Sequence, residues 1–212
     1  MRHSALFGSA VAIAAVMTAP AFAETKTYAV ADFTRVSASA GVSVDIAVGG
    51  DYAVSATSSA EGLERLDIKV EGGELRIGRK RATGWRWRRG DEVNVTVAMP
   101  ALEALDVSSG ASVDAGGVDA GAFAIDASSG ASADVAGRCD ALTVDVSSGA
   151  SIDADALLCR TANASASSGG SADIYASESV NGDASSGGSI DVSGSPKSVN
   201  KDTSSGGSVD VD

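Results

Sequence analysis

Histidine is nearly absent from this 212-residue chain, whose single copy is His3. Aromatic residues make up only 4% of the sequence, and there are three prolines and two cysteines. The segment that carries His3 resembles an export signal, so the mature chain is expected to have no imidazole. Ser-His and Cys-His nucleophile pairs and most zinc sites need that group. We therefore predict no catalytic residue of these kinds, no metal site and no cofactor.

Long apolar runs are also missing. The longest N-terminal run, Ala10 to Val16, lies between Arg2 and the small-x-small sequence Ala21-Phe22-Ala23. This arrangement is typical of a secretory signal, so residues 1–23 are predicted to be cleaved, with export to the periplasm, the cell surface or beyond. No later run approaches the roughly 20 apolar residues of a membrane helix. The mature chain therefore has no predicted transmembrane segment.

Basic residues are outnumbered by acidic ones. Sixteen Lys and Arg against 28 Asp and Glu give a net charge of −12. An acidic chain repels nucleic acid, so we expect no nucleic-acid partner. With so few aromatic rings, the 44% hydrophobic content favours a narrow core of small aliphatic residues, as in stacked β layers.

The second half of the chain is a repeat array. Six copies of Ser-Ser-Gly recur at intervals of 20, 19, 20, 18 and 19 residues, and an Asp stands six residues after the first Ser of each copy. Small apolar residues flank each Asp, and this alternation predicts a short strand after every Ser-Ser-Gly corner. The aspartates are Asp114, Asp134, Asp153, Asp173, Asp191 and Asp210.

A second strand is predicted before each corner, where Leu105 and Val107 flank Asp106 and later copies alternate in the same way. Two strands in a coil of about 19 residues, with glycine at the bend, predict a parallel β-helix. Equivalent residues of successive rungs then lie about 4.8 Å apart. We expect the corner serine hydroxyls to hydrogen-bond to one another and to the turn backbone.

The two cysteines occupy the same phase of adjacent coils, each eight residues before a Ser-Ser-Gly. One rung spacing is within the range that a disulfide spans, and an exported chain meets an oxidising compartment. We predict a bridge between Cys139 and Cys159; the alternative is a pair of buried free thiols.

The N-terminal part, residues 24–100, is β-rich but less regular than the repeat array of residues 101–212. Ser39-Ala40-Gly41 and Asp45 repeat the corner motif in weaker form and indicate an early coil. One helical turn is predicted near Leu63 to Leu66. Strands are predicted at Tyr52 to Ala56, Asp67 to Val70, Glu74 to Ile77 and Val93 to Ala98.

The columns of aspartate have two interpretations. Calcium could relieve their mutual repulsion, but the nine-residue Gly-Gly-x-Gly-x-Asp repeat of calcium-binding β-rolls is absent, and one outward carboxylate per rung supplies too few oxygens. A solvated acidic face that discourages edge-to-edge aggregation is the simpler interpretation. A polysaccharide-active enzyme that uses Asp and Arg is a less favoured alternative, since equivalent carboxylates have no reason to differ in pKa.

One segment, which we call the basic loop, breaks the acidic pattern between two strands. It holds six cations and both tryptophans of the chain. Guanidinium groups pair with phosphate or carboxylate, and indoles stack on sugars or settle at membrane interfaces. We predict a protruding hairpin tip that contacts an anionic glycan, lipid headgroup or polymer; the alternative is a loop that folds back onto the acidic columns. Its candidate binding residues are Arg79, Lys80, Arg81, Trp85, Arg86, Trp87, Arg88 and Arg89.

The strand end Met99-Pro100-Ala101-Leu102, followed by serial Ser-Ser-Gly coils that close on Gly194-Ser195-Pro196-Lys197, resembles the head domain of autotransporter adhesins, also called the GIN domain. The resemblance covers roughly residues 30–212. It implies a right-handed parallel β-helix, an all-β solenoid, at the cell envelope or surface.

Two functional hypotheses follow. The first is a non-catalytic, adhesin-like or scaffolding surface module, and the second is a periplasmic sensor or ligand-binding partner protein. The final coil, which ends at Val211-Asp212, has no evident cap. Because an uncovered rung exposes backbone hydrogen-bonding groups, self-association through this coil is a further expectation.

Overall fold

A computed structural model describes residues 23–80 and 92–212. Its strands form one 15-stranded sheet that winds into a parallel solenoid, so the predicted all-β fold class is confirmed. The N-terminal elements are β1 (Glu24–Tyr28), β2 (Arg35–Ala38), β3 (Ser43–Val48), β4 (Ala53–Ser58), α1 (Ala60–Arg65), β5 (Leu66–Glu71), β6 (Glu74–Arg79) and β7 (Asn94–Met99). The repeat array contains β8 (Ala104–Val107), β9 (Ser112–Ala127), β10 (Ser132–Val146), β11 (Ser151–Ala166), β12 (Ser171–Ala184), β13 (Ser189–Ser193), β14 (Ser198–Thr203) and β15 (Ser208–Val211).

Equivalent positions of successive repeats stack directly on one another. The serine that begins each post-corner strand pairs with its counterpart in the next rung, and the aspartate two residues later does the same. The phase of the Ser-Ser-Gly motif therefore sets the register of the whole array. The stacked aspartates are Asp45, Asp114, Asp134, Asp153, Asp173, Asp191 and Asp210.

Each corner is a tight turn in which the second serine and the glycine both have positive φ. At one corner Ser148 has φ 54° and Gly149 has φ 70°, while the Ala150 amide donates to the Ser147 carbonyl at 3.1 Å. Two consecutive left-handed residues define a type I′ turn. The glycine amide donates to the next rung, as from Gly149 to the Ser168 carbonyl at 3.2 Å. Backbone groups thus continue the ladder through the bend.

The expected ladder of corner hydroxyls is replaced by this backbone ladder. A hydroxyl pair between rungs does occur, but it joins Ser132 Oγ to Ser112 Oγ at 3.2 Å, and both serines stand in strands. The left-handed backbone explains the corner sequence, since serine tolerates this conformation better than a β-branched residue.

The core is a narrow stack of small aliphatic side chains. The column of Ala133, Ile152, Ala172 and Ile190 is 0–3% exposed. Alternation between this column and the outward aspartates follows the period-2 side-chain geometry of a strand. Composition and register therefore agree on a thin, elongated core.

The N-terminal rungs do not stack in chain order. Strand β2 lies between β6 and β8, and β3 lies between β7 and β9, all in parallel. The early coil at Ser39-Ala40-Gly41 is confirmed: the Gly41 amide donates to the Ser109 carbonyl at 3.1 Å, as in the later corners. The coil of β2 and β3 is thus the second rung, and β6 and β7 add an outer rung beyond it.

Antiparallel strands cover this outer rung. Strand β5 pairs with β6, β4 pairs with β7, and β1 pairs with β4. Between β4 and β5, α1 begins at the N-cap Ser59, whose hydroxyl accepts from the Gly62 amide at 3.0 Å. No helix in residues 23–80 and 92–212 is long and apolar enough to cross a membrane.

The last rung, formed by β14 and β15, departs from the core pattern. Register places Val199, Lys201 and Thr203 above the buried Val180, Gly182 and Ala184 of β12. All three upper residues are exposed, with Val199 at 43%. An inward-pointing charge on an edge strand opposes further strand addition. The expected self-association through this rung remains a prediction, which Lys201 disfavours.

Candidate functional site

The basic loop leaves the rod at the outer rung. In the adjacent rung four residues, 39–42, join β2 to β3; in the outer rung residues 80–93 separate β6 from β7. Strands β6 and β7 pair with β2 and β3 and not with each other, so they are not the two arms of a hairpin; the hairpin tip predicted between them lies outside the described residues. They are successive sides of one rung, and the basic loop stands where the other rungs have a corner.

Both ends of the basic loop are fixed to neighbouring elements. The Lys80 amide donates to the Arg65 carbonyl at 2.8 Å, and its Nζ donates to the Glu64 carbonyl at 3.0 Å. The Arg79 guanidinium donates to the Gly41 carbonyl at 3.4 Å. On the return side, the buried Ser58 hydroxyl donates to the Glu92 carbonyl at 2.7 Å. The segment therefore starts and ends at defined points on the rod.

Of the candidate binding residues, Arg79 and Lys80 lie in the described part of the chain. Both belong to the junction between β6 and the loop. The remaining candidates, Arg81, Trp85, Arg86, Trp87, Arg88 and Arg89, lie outside the described residues.

The acidic columns stop short of the basic loop. One column runs along the strands that precede the corners; there β8 carries Asp106, while β2 carries Ser37 and β6 carries Arg76. The other column runs along the strands that follow the corners; there β3 carries Asp45 but β7 carries Thr96. The rung that bears the loop therefore has no aspartate at either column position.

Several carboxyl groups within the columns have raised pKa values. Removal of water is the largest cause at Asp106, Asp126, Asp134 and Asp173, and repulsion from like-charged neighbours adds to it. For Asp134 the neighbours include the next carboxylates of the column, Asp153 first. The shifts thus come from burial and neighbouring carboxylates at several positions, and they do not single out one carboxyl group as an acid or base.

The third side of the rod carries paired charges and the two cysteines. Arg138 donates to Asp119 at 2.6 Å, and Arg160 lies 3.1 Å from Glu178. Cys139 and Cys159 are in register and form the predicted disulfide, with their Cα atoms 4.5 Å apart.

In the part of the chain that the structure describes, no group of three or more His, Cys, Asp or Glu side chains is arranged to hold a metal ion. The outward aspartates stack from rung to rung, and Asp155 adds a second exposed carboxylate beside Asp153 in β11. A site of six to eight oxygens, as Ca²⁺ requires, does not form from this geometry.

Comparison with known proteins agrees with the architecture. The sequence profile of the family described as "Putative auto-transporter adhesin, head GIN domain" matches residues 32–196. No curated protein sequence matches the chain.

Three solved structures share the fold. A putative adhesin from Bacteroides fragilis has a TM-score of 0.68 at 15% identity over 90% of this chain and 97% of that one. A putative adhesin from Parabacteroides distasonis has a TM-score of 0.57 at 15% identity, with 91% and 98% covered. A putative lipid binding protein from the same species has a TM-score of 0.51 at 18% identity, with 90% and 96% covered. At these identities the likeness shows the fold alone.

The family profile spans most of the chain, including the early coil, the outer rung and five of the six Ser-Ser-Gly corners. The chain therefore belongs to the family of auto-transporter adhesin head GIN domains.

Proposed function

We propose that this chain is an exported, non-catalytic surface module whose basic loop binds an anionic glycan, lipid headgroup or polymer of a cell envelope. Membership of an adhesin-type family and adhesin-like structural neighbours support a surface module. The secretory signal predicted for residues 1–23 supports export. The stacked, equivalent carboxylates support a role other than catalysis.

One observation carries the proposal. In the outer rung a long cationic segment replaces the four-residue corner, at the end of a rod that is otherwise acidic. The corners of the neighbouring rungs are short, uncharged Ser-Ser-Gly or Ser-Ala-Gly turns that bend the chain and continue the backbone ladder. A long insertion at a fixed position on a rigid scaffold is where binding residues are commonly carried.

The arrangement also argues against a loop that only neutralises its own rod. Arg76 and Thr96 occupy the column positions of the outer rung, and the nearest column aspartates are Asp45, one rung away, and Asp106, two rungs away. At about 4.8 Å per rung, Asp106 lies roughly 10 Å from the loop's rung, which is about one Debye length at 0.1 M salt. The outer rung therefore adds no column carboxylate to compete with an external anion for the loop, and the nearest one, Asp45, lies about 5 Å from that rung.

Matched variants test the proposal. Neutralising Arg86, Arg88 and Arg89 to Gln removes three charges from the loop. A control variant removes three charges from elsewhere on the rod, at Arg138, Arg160 and Lys197. Binding to oligogalacturonate, polyphosphate and anionic phospholipid vesicles is measured at two salt concentrations.

The loop variant is expected to lose most of its binding, while the control keeps it, because net charge is equal in the two. Equal binding by both variants would show that overall charge and not the loop governs the contact. A further variant, Trp85→Ala with Trp87→Ala, separates ring stacking from charge: a loss on oligogalacturonate alone supports sugar contact.

A periplasmic ligand-binding role is the second candidate. It is favoured by the fold likeness to a protein described as a putative lipid binding protein. Vesicle binding that survives in high salt and depends on Trp85 and Trp87 would favour it over glycan binding. Salt-sensitive binding to soluble acidic oligosaccharide, with no binding to vesicles, would favour the surface module.

A further inference from the structure

A groove of about 350 Å³ lies on the outer surface of β2, beside the start of the basic loop. Register places Ser37 between Arg76 of β6 and Asp106 of β8. One step along the strand, Ser39 lies beside Gly78, whose position for a Cβ would be 3.0 Å from the Ser39 hydroxyl oxygen. Small residues flanked by longer ones on both sides produce a recess in an otherwise even face.

Hydroxyl groups and charges of both signs line this groove. Its lining includes Ser37, Ser39, Asp67, Arg76, Gly78 and Asp106. Arg76 is held in place, because its Nε donates to Glu74 at 2.6 Å and its Nη1 donates to Glu71 at 3.2 Å. Both serines are half-buried, as expected for the floor of a recess.

Asp106 faces this groove with unused hydrogen-bonding capacity. Among the described residues, no hydrogen bond ends on its carboxylate. Its pKa is raised, first because neighbouring atoms exclude water and second because Glu74 repels it. Its side chain is exposed to solvent, so a ligand that donates hydrogen bonds can reach this carboxylate directly.

The mixed lining selects among ligands. Three carboxylates, those of Asp67, Glu74 and Asp106, outnumber the guanidinium groups of Arg76 and Arg79, so the lining does not favour a multiply charged phosphate or sulfate. An acyl chain would find mostly polar groups there. Sugar hydroxyls donate to carboxylates and accept from guanidinium and serine hydroxyls, so they satisfy both kinds of lining group. Arg79, the first of the candidate binding residues, lines the groove, so a carboxylate on the same sugar chain would lie next to the start of the basic loop.

We propose that the groove formed by Ser37, Ser39, Gly78 and Asp106 binds a sugar ring of an acidic oligosaccharide whose carboxylates lie toward the basic loop. This proposal rests on the function proposed above and adds the ligand class and a second contact. Hydroxyls are recognised in the groove and charge is recognised at the loop.

The chain offers matched controls for this groove. Ser165 lies four rungs from Ser37 in the same outward-facing row of the solenoid. The residues between them in that row are Asp106, Asp126 and Asp145. Ser37→Trp fills the groove, whereas Ser165→Trp adds the same bulk to the exposed face. Asp106→Asn keeps the shape of the side chain and removes its charge, and Asp145→Asn does the same elsewhere in the row.

Two probes separate hydroxyl recognition from charge recognition. Oligogalacturonate carries hydroxyls and carboxylates, whereas polyphosphate carries charge without sugar hydroxyls. Ser37→Trp and Asp106→Asn are expected to weaken oligogalacturonate binding by about tenfold, or 1.4 kcal/mol, and to leave polyphosphate binding within about twofold. Ser165→Trp and Asp145→Asn are expected to bind both probes as the original chain does.

Other results overturn the groove. Unchanged oligogalacturonate binding by Ser37→Trp and Asp106→Asn, or an equal loss in the Ser165 and Asp145 controls, contradicts the proposal. If the loop variant no longer binds either probe while Ser37→Trp still binds both, the function proposed for the loop stands and the groove proposal is refuted. If the loop variant keeps both probes, the proposed function itself fails. Thermal unfolding confirms that each variant is folded, and Asp106→Asn covers the case in which Ser37→Trp is not.

Discussion

Removing the disulfide tests the stacked register of the rod. Cys139 and Cys159 are 6% and 1% exposed and lie in adjacent rungs. In the same column, the neighbouring rungs carry Ala120 and Ala176. Alanine at both cysteine positions therefore fits the existing stack, and the double substitution isolates the effect of the covalent link.

The expected cost follows from the loop that the bridge closes. For a sequence separation of 20 residues, the chain-entropy model gives a stabilisation of about 3 kcal/mol. Loss of the two buried sulfur atoms adds on the order of 1 kcal/mol. For a chain of this size we expect a Tm lower by about 10 °C.

Urea unfolding measures the free energy of unfolding for the original chain with and without reductant, and for the double alanine variant. Reduction of the original chain is expected to produce most of the loss, and the variant is expected to be insensitive to reductant. Circular dichroism and tryptophan fluorescence are followed together, because repeat arrays can depart from two-state unfolding.

A loss below about 1 kcal/mol, with the bridge verified by thiol titration, would refute the reasoning. It would mean that the two positions are already adjacent in the denatured ensemble or that the bridge strains the native rungs. Either explanation would contradict the view that the disulfide links two rungs that already stack in register without the bridge.

Three further substitutions test other parts of the fold. Gly188→Ala is expected to lower the free energy of unfolding by about 2 kcal/mol or more, because the new Cβ would lie 2.5 Å from the Ala166 carbonyl. Ala150 occupies the same position after the corner glycine of another rung, and Ala150→Gly is expected to cost about 1 kcal/mol. Thermal unfolding compares the two variants. Asp173→Asn is expected to raise Tm at about pH 7 and to leave it unchanged at about pH 3. Because folding raises the pKa of Asp173, its ionised carboxylate destabilises the folded state at neutral pH, and protonation at low pH removes that cost. Lys201→Val is expected to promote self-association, detected by light scattering, whereas Asn200→Val on the outward face is not; monomeric Lys201→Val protein would contradict the blocking role.

The repeat array was predictable because its motif recurs at nearly constant spacing, which fixes the position of each residue within its coil. Six Ser-Ser-Gly corners, each followed by Asp at a constant distance, specify which residues of successive rungs meet. The cysteine pair followed from the same phase. The predicted strand at Glu74 to Ile77 was also confirmed, within β6.

The arrangement of the N-terminal rungs was not predictable in this way. Strands β6 and β7 alternate as any half-buried strand does, and alternation identifies faces without identifying partners. Nothing in their sequence marks that they lie outside the rung that precedes them in the chain. For that reason the sequence did not reveal that β6 and β7 are successive sides of one rung.

The corner backbone and the groove were missed for a related reason. The left-handed conformation of the second serine depends on the turn that the stacked rungs impose. The recess at Ser37 becomes visible only when Arg76 and Asp106, which follow it by 39 and 69 residues in the chain, are placed on either side of it. Both features are products of register between distant strands.

Hydrogen–deuterium exchange with and without oligogalacturonate tests the central claim most directly, namely that the ligand-binding surface is at the outer, loop-bearing end of the rod. The account predicts slower exchange in residues 35–39 and 74–93, and no change in residues 171–212. Protection spread along the aspartate columns, or confined to β14 and β15, would contradict it.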